Sequence, residues 1–184
     1  LQESLIQYCL GKNVWEYNLM AGRLYSALLV RVIHKSDEYP TVKEVHSKLQ
    51  KAGLMKKMNY TDEDYEKVEK IINHNLNMKY PHYALHQNRK KYSLQNKKTG
   101  AEYETSQFIY MRMAMAASEE EPLERRITEI KAYYDSFSQH KVNVPTPYYV
   151  NLGTDDSAYA SCCVYTTKDT AKSLAAADHI AYMM

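Results

Sequence analysis

The chain is poor in cysteine, poor in phenylalanine and free of any long apolar run, and each scarcity narrows what it can be. Three cysteines in 184 residues are an odd number and do not make the paired framework of a small secreted domain. They fit a reducing compartment, and the expectation is a cytoplasmic protein. No stretch reaches the roughly 18 uninterrupted apolar residues that a membrane span requires. The opening LQESLIQYCLGKN has polar residues throughout and no basic stretch leading into an apolar one, so it does not read as a signal peptide. An excess of one charge is missing too: 24 Lys and Arg face 22 Asp and Glu, a net +2, which sets up no long-range field for nucleic acid or membrane. Two Phe stand beside 18 Tyr, so the aromatic contacts are of the half-buried kind in which a hydroxyl reaches a polar partner. No internal repeat or low-complexity linker interrupts the chain.

What is present is mostly helical periodicity, enough for one sizeable core or one domain and the beginning of another. Leu1, Leu5, Tyr8 and Cys9 fall at helical spacing ahead of Gly11, with Cys9 read as a small buried hydrophobe. Residues 14–34 form the longest periodic segment, with Trp15, Leu19, Leu24, Leu28 and Val32 near one face, and predict a central core helix. Thr41 with Glu44 fits a capping box, after which Val42, Val45 and Leu49 face inward and Gly53 stops the helix. Thr61 with Asp64 repeats the start signal ahead of Tyr65, Val68, Ile71 and Ile72. Residues 92–103 read as a short hairpin around the turn Asn96-Lys97-Lys98-Thr99-Gly100. Residues 106–117, SQFIYMRMAMAA, are apolar on nearly every face; at this length that means a buried helix, in which Arg112 requires an internal carboxylate. Pro122 opens a further helix through Leu123, Ile127, Ile130, Tyr134 and Phe137. Asp169 or Thr170 can cap a last one, AKSLAAADHIAYMM, with Leu174, Ala177, Ile180 and Met184 near one face.

Two clusters invite chemistry and have plainer explanations. His82 and His86 sit one helical turn apart with His74 nearby, yet no carboxylate or thiolate falls at matching spacing and Pro81 breaks the chain between them. They read as surface or capping groups rather than metal ligands. Arg89, Lys90, Lys91, Lys97 and Lys98 could hold a phosphate, but no second basic stripe extends them, and a solvated hairpin tip accounts for them.

Residues 144–165, VPTPYYVNLGTDDSAYASCCVY, carry the site-like chemistry. Pro145 and Pro147 bracket Thr146 and predict an extended turn there. Gly153 with the polar run to Ser157 makes a second break. Residues 159–167 then read as a strand buried on both faces, with Cys162 inside it and Cys163 pointing the other way. From residue types alone Cys162 is open between a packed thiol and a reactive one. No His or carboxylate is fixed beside it, which speaks against a Cys-His hydrolase.

The PTP turn, the Gly-containing loop and Ser161-Cys162 resemble the entrance to the catalytic barrel of the class I ribonucleotide reductase large subunit. The stretch DYEKVEKIINHNLNMKYPHYALHQNRKKYSLQNKKTGAEYETSQFIYMRMAMA resembles the family's helical domain, and the likeness runs from about Tyr17 onward. It implies a mainly α fold: a helical domain with one short β-hairpin over 1–141, then the first strand and helix of an α/β barrel over 142–184. It implies that Cys162 is one of the redox-active pair that reduces the ribose, and that Thr146, Ser161 and Cys162 contact the nucleoside diphosphate. Asp169 and Thr170 would open the effector site for dNTP or ATP, on a dimer surface carried by the last helix. No cofactor is expected on this segment, since a small metal-containing subunit supplies the radical. The implied partners are the remainder of the large subunit, that small subunit, a second large subunit, and thioredoxin or glutaredoxin as reductant; nucleic acid and membrane are not among them. No cysteine follows Cys163, so the thiyl-radical cysteine and the second member of the redox pair are not in this sequence, which is expected to be inactive alone as a fragment or a split piece of the subunit. The contrasting possibility is a noncatalytic helical interaction module in which Cys162 is only a packed thiol.

Overall fold

The computed structural model describes residues 1–162 and 164–183. Helices α1 (Gln2–Gly11) and α2 (Trp15–Leu29) pack as a pair, α2 running on into a π-helical turn over Val30–His34. Then come α3 (Val42–Lys51), α4 (Asp62–Glu69), a 3₁₀ turn over His74–Lys79 and α5 (His82–Gln87). The hairpin follows as β1 (Gln95–Asn96) and β2 (Ala101–Glu102), antiparallel with Gln95 opposite Glu102. The order closes with α6 (Ser106–Ala117), α7 (Leu123–Ser138), α8 (Thr146–Asn151) and α9 (Ala171–Met183). The expected mainly α fold with one short hairpin is what forms.

The local signals act as their chemistry dictates. Thr41 and Thr61 each accept from the amide three residues on, while Glu44 and Asp64 reach back to the cap amide, so both helix starts are full capping boxes. The helix α6 lies at the centre, with every residue from 106 to 115 buried; being apolar all round, it has no face to give to water. The tyrosine excess is spent around it. Tyr134 Oη donates to Gln107 Oε1 at 2.6 Å, and Gln107 Nε2 donates to Asn77 Oδ1 at 2.9 Å and to Tyr80 Oη at 3.2 Å. Tyr80 Oη in turn donates to the Ser138 carbonyl. This chain of bonds ties α6, α7 and the 3₁₀ turn together through a region where unpaired polar groups would be costly.

Several expectations are corrected. The inward stripe of α2 is Ala21, Gly22, Tyr25, Ser26 and Leu29; of the predicted face, Leu24 and Leu28 pack half-buried against the core, whereas Trp15 is exposed. The reason is close approach: a Cβ on Gly22 would lie 2.2 Å from the Tyr80 carbonyl oxygen, so the small-residue face is the one that admits neighbouring backbone. In α1 the buried residues are Ile6 and Cys9, while Leu1, Leu5 and Tyr8 are exposed. Thr146 does not lie in an extended turn; it begins α8, with Pro147 in the first turn, where a missing amide costs nothing. The strand expected over 159–167 is not formed: residues 157–162 and 164–167 carry neither helix nor strand. A parallel barrel strand needs neighbouring strands for its hydrogen bonds, and among the described residues the two strands of the hairpin pair only with each other. Cys163 and Met184 lie outside the described residues. On α9 only Ala177 is buried, with Leu174 and Ile180 exposed.

Of the three histidines read as surface or capping groups, His86 is exposed and His82 is half-buried at the first position of α5, but His74 is packed inside, as are His34 and His46. His74 stacks on Tyr39 with centroids 3.8 Å apart and tilts against Phe108, on which His34 packs edge-on. Both ring nitrogens of His74, and Nε2 of His34 and His46, are buried without hydrogen-bond partners among the described residues. Burial, helped by Lys48 near His34, His34 near His74 and Arg112 near His46, lowers these pKa values to about 4, about 4 and about 3 respectively. The unfolded imidazole titrates at about 6.5, so the unfolded chain takes up protons first. The stability of these neutral rings is therefore fully present above about pH 6.5 and is lost as pH falls toward 4. Thermal melts of the 184-residue chain are expected to show a falling midpoint between pH 7 and pH 5. His46→Met is expected to flatten that limb by up to about 1.4 kcal/mol per pH unit near its steepest; an unchanged slope would mean that His46 is not held neutral.

Candidate functional site

The site-like stretch begins with α8, six residues long, too short to persist unless its ends are held from outside. Its N-terminal end is set by Pro145, and most of the carbonyls at its C-terminal end have partners. Leu152 N donates to Tyr148 O at 3.2 Å, and Thr154 donates to Asn151 O through both its amide and its hydroxyl. The carbonyls of Tyr149 and Leu152 accept from Arg112, at 2.9 Å from Nη2 and 2.5 Å from Nη1. Lys56 N donates to Gly153 O at 2.9 Å. A cation at helix carbonyls also suits the local dipole.

Arg112 is fully buried, and so is its counter-ion Glu104, whose Oε1 lies 2.7 Å from Nε. Glu104 Oε2 accepts from Leu94 N at 2.8 Å, so one ion pair joins α6, the start of the hairpin and the far end of α8. Removing one partner of such a pair leaves an uncompensated buried charge, at a cost of about 3–5 kcal/mol. The fit continues at Gly153, whose φ of +85° favours glycine and whose added Cβ would meet Arg112 Cγ at 3.1 Å. Tyr149 stacks on Tyr92 with centroids 4.2 Å apart, seating α8 against the π-helical turn over Asn88–Tyr92.

Of the residues predicted to form the site, Thr146 is half-buried at the first position of α8. Ser161 and Cys162 are exposed, with Oγ and Sγ 3.8 Å apart. Among the described residues no hydrogen bond links Thr146 to either. The segment between them is tethered at its start, where Asn151 Nδ2 donates to Ala158 O at 2.6 Å and the Tyr148 and Tyr159 rings lie 5.3 Å apart. Asp169 is exposed, and Thr170 caps α9 by accepting from Ser173 N at 3.3 Å. The internal carboxylate that Arg112 required proves to be Glu104. Its only sequence signal was position, an acidic residue just ahead of an apolar helix. The grip of Arg112 on α8 had no local signal at all, because it spans some forty residues of chain.

Residues 78–157 match the family model described as the ribonucleotide reductase all-alpha domain. The chain is similar to the ribonucleoside-diphosphate reductase 1 subunit alpha of Escherichia coli (strain K12), with 27% identity over 90% of this chain and 22% of that protein. It is similar to the Salmonella typhimurium counterpart at 31% identity over 63% of this chain and 15% of that one. With the subunit alpha of Enterobacteria phage T4 it shares 30% identity over 62% of this chain and 15% of the relative. The chain therefore spans about a fifth or less of the length of these relatives. The matched segment contains Glu104, Arg112, Thr146 and Gly153 and stops short of Ser161.

Exposure separates the two described thiols, Cys9 being buried and Cys162 exposed. A thiol-reactive reagent followed by peptide mass spectrometry is expected to modify Cys162 rapidly in the native chain and Cys9 only in denaturant. Equal rates at the two would contradict this placement.

Proposed function

Starting from a chain that carries the N-terminal region of a ribonucleotide reductase large subunit, we propose that it serves as the helical domain and barrel entrance of a ribonucleoside-diphosphate reductase. The helical domain would occupy 1–141 and the barrel would begin at 142. The observation that supports this best is the family match, which continues without interruption through the central helix, the hairpin and the braced α8.

In this reading Thr146, Ser161 and Cys162 face a nucleoside diphosphate, with short hydroxyls and backbone amides suited to close approach by phosphate. The overall step is a two-electron reduction. The ribose C2′–O bond breaks and a C2′–H bond replaces it, the oxygen leaving as water, while two cysteine thiols give up two electrons and two protons, one to C2′ and one to the departing hydroxyl, and join as a disulfide. Cys162 supplies one of those thiols. The other belongs to the rest of the large subunit, since no cysteine follows Cys163 in this sequence, and the segment alone is inactive. A small metal-containing subunit supplies the radical, and thioredoxin or glutaredoxin restores the dithiol. Asp169 and Thr170 open the effector site for dNTP or ATP on the surface where two large subunits meet, which α9 would cover. The strand over 159–167 would form once neighbouring barrel strands supply its hydrogen bonds. Among the described residues no helix is long and apolar enough to cross a membrane, and the compartment proposed is the cytoplasm.

The test is nucleoside-diphosphate reduction by a large subunit that contains this segment, assayed with its small subunit and a dithiol reductant. Cys162→Ser is expected to abolish turnover and Cys163→Ala to retain it. Turnover that survives Cys162→Ser would leave the segment as a noncatalytic helical module.

A further inference from the structure

We infer that Arg112 and Glu104 are positioning residues for substrate: the buried ion pair holds α8 at the height and angle that present Thr146 to the nucleoside diphosphate. This rests on the substrate role of Thr146 proposed above, and it assigns to the centre of the helical domain a part in substrate binding that no residue of the site performs itself.

Three observations carry it. First, α8 cannot hold itself. A helix of six residues is about 9 Å long, and its intrinsic stability in water is marginal. Its conformation therefore follows whatever satisfies its ends. Second, Arg112 is the side chain of the core that grips the C-terminal end, donating to the carbonyls of Tyr149 and Leu152, and the guanidinium is itself oriented by Glu104. The planar fork makes these bonds in fixed directions that a lysine ammonium cannot reproduce. Third, the geometry is over-determined rather than incidental. Glu104 is held by Leu94 N, Gly153 closes over the Arg112 stem, and Lys56 N holds the Gly153 carbonyl. A shift at the guanidinium therefore moves α8 as a unit, and Thr146 at its first position moves with it. No part of the pair is exposed, so its effect on substrate passes through α8 and not by contact.

The experiment compares Arg112→Lys, Glu104→Gln and Thr146→Ala in the large subunit containing this segment, assayed with its small subunit. Arg112→Lys keeps the charge and most of the volume, and is the variant expected to remain folded. It is expected to raise KM for the nucleoside diphosphate on the order of tenfold, the scale of one charge-assisted hydrogen bond, with kcat changed about twofold or less. Glu104→Gln is expected to raise KM in the same direction. In hydrogen exchange on the 184-residue chain, Arg112→Lys is expected to lose protection at the amides of residues 148–152 while those of α7 keep theirs. Combining Arg112→Lys with Thr146→Ala is expected to raise KM by less than the product of the single effects, because both act through one contact.

A KM unchanged in Arg112→Lys but raised in Thr146→Ala would overturn the positioning role and leave the substrate role of Thr146 standing. A KM unchanged in Thr146→Ala removes that substrate role, and the inference with it. Loss of protection spread over the whole chain, with kcat and KM unchanged in the fraction that remains folded, would make the pair merely structural and also overturn the inference.

Discussion

A guanidinium taken wholly out of water needs partners for its nitrogens, and each of the three nitrogens of Arg112 has one. Glu104 supplies the opposite charge, and two carbonyls of α8 take bonds from the terminal nitrogens. The desolvation cost of such a pair rivals its Coulomb attraction, so it contributes little net stability compared with a well-packed apolar pair. What it contributes is direction. An apolar side chain at 112 would fill the same space without caring where the carbonyls of Tyr149 and Leu152 lay. The ion pair therefore specifies how a short, otherwise marginal helix joins the core, and that helix begins the loop region where the proposed substrate contacts gather.

The same logic extends outward through the tyrosines. With only two Phe in the chain, the centre is filled by rings that carry a hydroxyl, and each hydroxyl must be satisfied or left at the surface. Tyr134, Tyr80 and Tyr110 bond to side chains or carbonyls on other elements. Burial raises the Tyr80 hydroxyl to about 12 and pushes those of Tyr134 and Tyr110 higher still, so these hydroxyls stay neutral across any physiological pH, Tyr80 and Tyr134 as donors and Tyr110 as an acceptor from Asn88 Nδ2. The helical domain is in this respect a frame of polar bonds inside an apolar shell, suited to holding an attached segment in one orientation.

Beyond Gly153 the frame thins out. Asn151 and Tyr148 still tether residues 158 and 159, but Ser161, Cys162, Asp169 and Thr170 lie exposed. Their pattern in the sequence is that of a buried strand and a packed helix. On the reading proposed above, neighbouring barrel elements would create the environment that both expectations describe.

The residues alone determined most of the helical boundaries, because caps and breakers act within one turn of chain. Thr41 with Glu44, Thr61 with Asp64 and Gly53 with its positive φ all did what short-range chemistry requires. The wholly buried α6 was legible from its composition, as was the need of Arg112 for a carboxylate. The resemblance to the reductase family added the proposed roles of Thr146 and Cys162, which spacing could not supply. Only the tertiary structure decided which stripe of α2 turns inward, since Gly22 is chosen by the backbone of Tyr80 lying against it and not by its own neighbours. Only the tertiary structure placed Thr146 at the start of a helix and joined that helix to Arg112. Bonds that cross some forty residues of chain leave no periodic trace in sequence, because their partners are selected by packing in space rather than by order along the backbone.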